Sequence, residues 1–189
     1  VEELRASRCE TLAAIKSAVT TAQVLVFTMG LTEAWANRET GVEYAVCPGT
    51  VAGEFDPLAH VFTNHRYGAL LADMGAVLKL LVRGNRRLNV LLTVSPVPLT
   101  ATASENHVLT ATSHSKSLLR AVASELMLRS PLVDYFTSYE IITHPVYQGR
   151  FYAPNLRSVL SEGVDHVMTS FFRDQAAAFG SAEKEAPVV

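Results

Sequence analysis

Apolar and polar positions alternate along the chain in two rhythms. Leu4, Leu12, Ile15 and Val19 recur at helical spacing with Glu, Arg and Lys between them, which predicts an amphipathic helix over residues 2–20. Val24-Leu25-Val26-Phe27-Thr28-Met29 follows, short, β-branched and apolar on both faces, and Gly30 ends it; this predicts a buried parallel strand. Residues 36–64 carry Gly41, Pro48, Gly49, Gly53 and Pro57 without a clear period, and read as a long functional loop. Helical spacing returns over 66–82 through Leu70, Leu71, Met74, Val77, Leu78 and Leu81, and stops at Gly84-Asn85. Val90-Leu91-Leu92-Thr93-Val94 predicts a second buried strand, closed by Ser95-Pro96-Val97-Pro98 because proline cannot continue a central strand. A helix over 107–128, a third strand at Val133–Phe136 and a last helix at about 161–173 complete the series.

Strands alternating with helices of this length imply a parallel sheet with helices on both faces, so the expected fold class is α/β and three-layered. A single domain over residues 1–175 is expected, with residues 176–189 as a frayed tail. Ligands of such sheets bind beyond the carboxyl ends of the strands. Each strand here ends in a polar cluster, namely Gly30–Trp35, Thr93–Pro98 and Ser138–His144, and the three are expected to share one rim.

Composition narrows the function classes. The 189 residues are 49% hydrophobic and 18% charged, with a net charge of −2, which suits a globular protein and gives no electrostatic reason to expect nucleic acid or an anionic membrane. The basic run Arg83-Gly84-Asn85-Arg86-Arg87 reads as a solvated turn between a helix and a strand. Two cysteines, Cys9 and Cys47, form neither a disulfide framework nor a zinc-ligand spacing. No apolar run approaches the ~20 residues of a membrane span and no signal-peptide pattern opens the chain, so the cytoplasm is the default compartment. Without a Gly-x-Ser-x-Gly elbow, a Walker loop or a dinucleotide fingerprint, no cofactor and no metal site is expected.

The polar clusters carry the candidate chemistry. Gly30 lets the backbone approach a ligand, and the peptide N–H groups after it are placed to meet a developing oxyanion. Thr32 adds a hydroxyl, Glu33 a carboxylate and Trp35 a wall; the alternative is a plain glycine turn with Glu33 capping a helix and Trp35 in the core. Ser95 sits between Thr93 and two prolines, and either faces a ligand or satisfies its own turn. His114-Ser115-Lys116 opens or interrupts the third helix, and a lysine near a helix start opposes the dipole. Lys116 is therefore either solvated or paired with an anion such as Glu140 or a ligand. Glu140 and His144 follow the last strand in what reads as a loop, where a carboxylate orienting an imidazole is a general-base arrangement; a surface histidine is the alternative.

Taken in series, several segments resemble the GSCFA-domain family, a relative of the SGNH (GDSL-like) hydrolases. They are Val26-Phe27-Thr28-Met29-Gly30-Leu31-Thr32-Glu33-Ala34-Trp35, Cys47-Pro48-Gly49, Leu92 to Leu99, Ser115-Lys116-Ser117-Leu118-Leu119-Arg120 and Tyr135-Phe136-Thr137-Ser138-Tyr139-Glu140-Ile141. The resemblance implies a flavodoxin-like sheet and acyl hydrolysis or transfer on a small-molecule or carbohydrate acyl ester. It places Gly30, Thr32, Glu33, Trp35, Ser95, Ser115, Lys116 and Tyr139 on the oxyanion and substrate side, with Thr32 where the family's relatives carry Asn. The naming Gly-Ser-Cys-Phe-Ala motif, which holds the nucleophile, is absent from these 189 residues. Asn155-Leu156-Arg157-Ser158 stands where Asp-x-x-His is expected, which leaves His144 with Glu140 as the substitute base. The sheet is accordingly expected to be incomplete at its N-terminal side, with strand 24–29 as an apolar edge covered by a preceding segment, another chain or a second copy. The competing expectation is a non-catalytic binding module that keeps the cleft without the chemistry.

Overall fold

The computed structural model describes residues 2–51 and 53–180. The elements in order are α1 (Glu2–Thr21), β1 (Val24–Met29), β2 (Glu33–Asn37), β3 (His60–Asn64), α2 (Tyr67–Gly84), β4 (Asn89–Val94), α3 (Val108–Arg129), β5 (Val133–Tyr135), α4 (Ser138–Thr143) and α5 (Ser161–Phe179). A single 3₁₀ turn at Pro145–Tyr147 separates the last two. They form two compact units, one containing the chain up to Ser95 together with Leu99–Tyr135, the other Pro96–Pro98 and the chain from Phe136 onward.

The first unit holds a three-stranded parallel sheet in the order β1-β4-β5, flanked by helices, as a three-layer α/β fold requires. Strand β4 is central. Its Val90, Leu92 and Val94 are buried, which is what an apolar run without alternation specifies in a parallel sheet. Helix α3 packs on β4 and β5 through a stripe of Ala111, Ser115, Leu119, Val122 and Leu126 at i, i+4, i+8, i+11, i+15, and α2 packs against α3. Asn85 stops α2 and locks it to the preceding helix: its backbone N–H donates to Leu81 O, and its Nδ2 donates to Val19 O and Ala22 O at 3.1 and 2.7 Å.

Strand β1 corrects the expectation of a strand buried on both faces. Among the described residues it pairs only with β4, with Val24 opposite Asn89 and Met29 opposite Val94. Val24 and Val26 are more than half exposed and only Met29 is buried. Gln23 O accepts from Asn89 N–H and Met29 O from Ser95 N–H. Because polar backbone groups of successive residues point to opposite sides of a strand, the odd-numbered residues of β1 address β4, and Val24, Val26 and Thr28 address the open edge. Helix α1 likewise buries no residue, with Leu4, Leu12 and Ile15 exposed.

The long loop expected over 36–64 is a loop over 38–59, and the ends of that stretch are strand. They hold most of an antiparallel hairpin in which Glu33 pairs Asn64, Trp35 pairs Phe62 and Asn37 pairs His60. Trp35 meets Phe55 edge-on at 5.2 Å and Phe62 at 5.6 Å, so the aromatic ring expected as a cleft wall anchors this hairpin.

In the second unit, α4 and α5 pack together around Ile142 and Phe151, both fully buried. Gly163 in α5 allows it: a Cβ there would lie 2.9 Å from Phe151 Cβ and 3.0 Å from Val159 Cγ1. His166 stacks on Phe151 and shares a 3.1 Å hydrogen bond with the Tyr147 hydroxyl. Helix α5 runs on to Phe179, through the first residues of the expected tail; the remainder, 181–189, lies outside the described residues. Among the described residues no helix is long and apolar enough to cross a membrane.

Candidate functional site

The turn after β1 is anchored by hydrogen bonds from two elements of the first unit. Gly30 O accepts a 2.8 Å hydrogen bond from Lys116 Nζ, and two residues later Thr32 N–H donates to Ser115 Oγ at 2.9 Å. Thr32 is fully buried; its hydroxyl donates to Asn64 Oδ1 at 2.7 Å and its carbonyl accepts from His65 N–H. The turn is therefore held between the middle of α3 and the end of β3.

The Gly30–Leu31 peptide is trans, so its C=O and N–H point in opposite directions. Lys116 draws the carbonyl inward, which turns Leu31 N–H away from α3. Among the described residues that N–H has no hydrogen-bond partner, and Leu31 is exposed. Both donors of Thr32 are engaged inside the protein. The oxyanion-type donor that this turn offers is thus Leu31 N–H.

Lys116 and Ser115 lie in mid-helix rather than at a helix start. Helix α3 begins after His107, whose Nδ1 accepts from Leu109 N–H, and runs unbroken through both. Opposition to the helix dipole consequently does not apply. Lys116 is 1% exposed, and burial pulls its pKa down from 10.5 to about 8. Its Nζ partner is a backbone carbonyl. An ammonium that meets a neutral oxygen in the interior is stabilised far less than one facing a carboxylate, which leaves desolvation in control.

Glu33 closes a second tie. Its Oε1 accepts from Thr102 Oγ1 at 2.6 Å, and Thr102 shares a 2.7 Å hydrogen bond with Ser104, so the start of β2 holds the connection between β4 and α3. Ser95 continues the β1–β4 ladder through its N–H and is half-buried.

The remaining predicted residues belong to the second unit. Glu140 and His144 do not lie in a loop: Glu140 is in the first turn of α4 and His144 is its C-cap, with His144 N–H donating to Glu140 O. The His144 ring is exposed, and its Nδ1 accepts from Val146 N–H at 3.3 Å, capping the 3₁₀ turn. Tyr139 is half-buried in α4 and, after burial itself, is the second influence raising the pKa of Tyr152, whose hydroxyl donates to Pro96 O at 2.8 Å. Asn155 satisfies its own turn, with Oδ1 accepting from Arg157 and Ser158 N–H and Nδ2 donating to Ser158 Oγ.

Asn64 is the functional candidate that the sequence reading missed. It ends a segment read as loop, and only its pairing with Glu33 across the hairpin brings it to Thr32.

The family model that matches this chain is described as the GSCFA family and covers residues 1–171. No curated protein and no solved structure matches the chain.

Proposed function

The chain belongs to the GSCFA family, and on that premise we propose that it carries the oxyanion side of an SGNH-like esterase or acyltransferase. The nucleophilic serine is supplied by a segment outside these 189 residues, seated beside the open edge of β1. One observation supports this reading above the others. The Gly30-Leu31-Thr32 turn is fixed by Lys116, Ser115 and Asn64 so that a single backbone N–H, that of Leu31, is left to face a reacting carbonyl oxygen. The substrate class is a small-molecule or carbohydrate acyl ester, and the reaction needs no cofactor. His144 is the proposed base, nominated by its position in the sequence after β5.

The test is p-nitrophenyl acetate turnover by the full-length product of the gene, with serine labelling by a fluorophosphonate probe, set beside His144→Ala and Glu140→Gln. Turnover that falls by at least about a hundredfold in His144→Ala supports the base assignment. Full activity in both variants refutes it, and absence of both turnover and labelling refutes the enzyme.

A second reading, a binding module without chemistry, is favoured by the Asn155–Ser158 turn. That segment stands where the acid and imidazole of an Asp-x-x-His block are expected, and its polar groups are closed on one another. The same probe decides between them.

A further inference from the structure

A cleft of about 450 Å³ in the first unit is lined by Asn64, His65, Arg66, Tyr67, His114 and Leu118. It shares its foundations with the Gly30–Thr32 turn. Asn64 accepts from the Thr32 hydroxyl, and His114 immediately precedes Ser115, which accepts from Thr32 N–H. The volume lies within the range of small-molecule sites.

The polar groups around it are rich in donors, with Arg66, Tyr67 and His114 exposed to the cleft's solvent. Asn64 Oδ1 is taken by Thr32, so what this side chain has to offer is its two amide N–H bonds. The Arg66 guanidinium brings five further donors and a permanent positive charge. Arg66, Tyr67 and His114 have no side-chain hydrogen bond or ion pair with any described residue. Of the lining residues, His65 is ion-paired, its Nε2 lying 2.6 Å from the Glu43 carboxylate. Leu118 gives the cleft an apolar contact.

A guanidinium, a phenol and an imidazole, none of them side-chain-bonded to a described residue, beside the N–H bonds of an amide are the chemistry of oxoanion recognition. We propose that this cleft binds the anionic end, a carboxylate or a phosphate, of the molecule processed at the Gly30–Thr32 turn. The inference rests on the esterase reading for the identity of that molecule, but the anion site itself is separable from it. Arg66 supplies the charge and a planar fork, Asn64 and His114 fix the orientation, and Leu118 contacts the carbon skeleton. The preferred substrate is then an ester of a dicarboxylic acid, a uronic acid or a phosphorylated sugar rather than a neutral one.

Titration of the protein with inorganic phosphate and with acetate, followed by nitrogen-resolved NMR, tests the site directly. Saturable shifts of the Asn64 side-chain amide and of the backbone around Arg66 and His114 are expected, with affinity falling about tenfold in Arg66→Gln, the equivalent of one charge-assisted hydrogen bond. His114→Gln retains shape and tests orientation separately. No saturable shift, or an unchanged affinity in both variants, overturns the proposal. A kinetic arm compares p-nitrophenyl hydrogen succinate with p-nitrophenyl acetate on the full-length protein. A preference for the succinate that disappears in Arg66→Gln through KM supports the inference. Equal use of both esters with no phosphate binding refutes the cleft and leaves the esterase standing. Phosphate binding without turnover of either ester supports the cleft and refutes the esterase.

Discussion

Replacing Lys116 by methionine isolates what a buried cation does to the stability of the first unit. The native pKa of about 8 against 10.5 for an unburied lysine means that folding disfavours the charged form. Two and a half units of displacement correspond to about 3 kcal/mol, present as a penalty at neutral pH. Between the two pKa values the unfolded chain binds more protons than the native one, so stability rises with pH across that window; it is lost again as pH falls through about 8. Methionine has nearly the same length and no proton to lose, but it forfeits the hydrogen bond to Gly30 O, an effect of about 1–2 kcal/mol in the other direction. The two terms offset only in part at neutral pH, where Lys116→Met should be more stable than wild type by about 1–2 kcal/mol. Urea unfolding at several pH values provides the assay. The stability of the wild type relative to the variant should rise by about 2–3 kcal/mol from about pH 7 to about pH 10, because all other titrating groups cancel in the difference. A difference that stays constant within about 0.5 kcal/mol over that range would refute the argument that Lys116 is charged and poorly compensated in the native state.

Three further outcomes are expected. Thr32→Val removes the hydroxyl that donates to Asn64 Oδ1 and should lower stability by about 1–2 kcal/mol in urea melts, while Ser115→Ala should act similarly by orphaning the buried Thr32 N–H; variants as stable as wild type would mean the turn is not anchored there. Gly163→Ala sets helix propensity, worth about 1 kcal/mol in favour of alanine, against a Cβ at 2.9 Å from Phe151. The steric term should win, and thermal unfolding should move to lower temperature; a rise would refute the packing account of α5 against Phe151. Tyr152 has a native pKa raised above 10, so its contribution is present below that value and lost as pH climbs through the native one. Tyr152→Phe should accordingly flatten the alkaline loss of stability seen in the wild type, measured as the difference between the two melts.

Strands β1 and β4 were legible to the residue at their carboxyl ends, because Gly30 breaks one apolar run and Pro96, which cannot donate to a ladder, follows closely on the other. The long helices were legible from a period of 3.6, with Gly84-Asn85 ending the one over 66–82. The β2–β3 hairpin was not. Its strands are separated by a glycine- and proline-bearing excursion, and the pairing of Trp35 with Phe62 is a long-range event that no local period records. Helix α4 is only six residues long, too short for a periodic signal, so Glu140 and His144 were read as loop. At the site, Ser115 was legible in principle: it falls on the i, i+4, i+8 stripe of α3, where a hydroxyl in an otherwise apolar series must have a partner inside. The burial of Lys116 beside it was not, since a lysine next to a stripe reads as solvent-facing until the neighbouring chain arrives to cover it.

The open flank of β1 has a consequence for how its amides trade hydrogen with water. Leu25, Phe27 and Met29 direct their backbone groups at β4, and Val24, Val26 and Thr28 direct theirs outward. Isotope exchange along this strand should therefore run slow and fast at alternate residues, a sawtooth with a period of two that marks a strand paired on one side. Anything that seats a strand against the flank converts the sawtooth into uniform protection, whatever the newcomer's sequence. Six consecutive amides thus form a built-in gauge that reads out, residue by residue, whether the sheet has been extended.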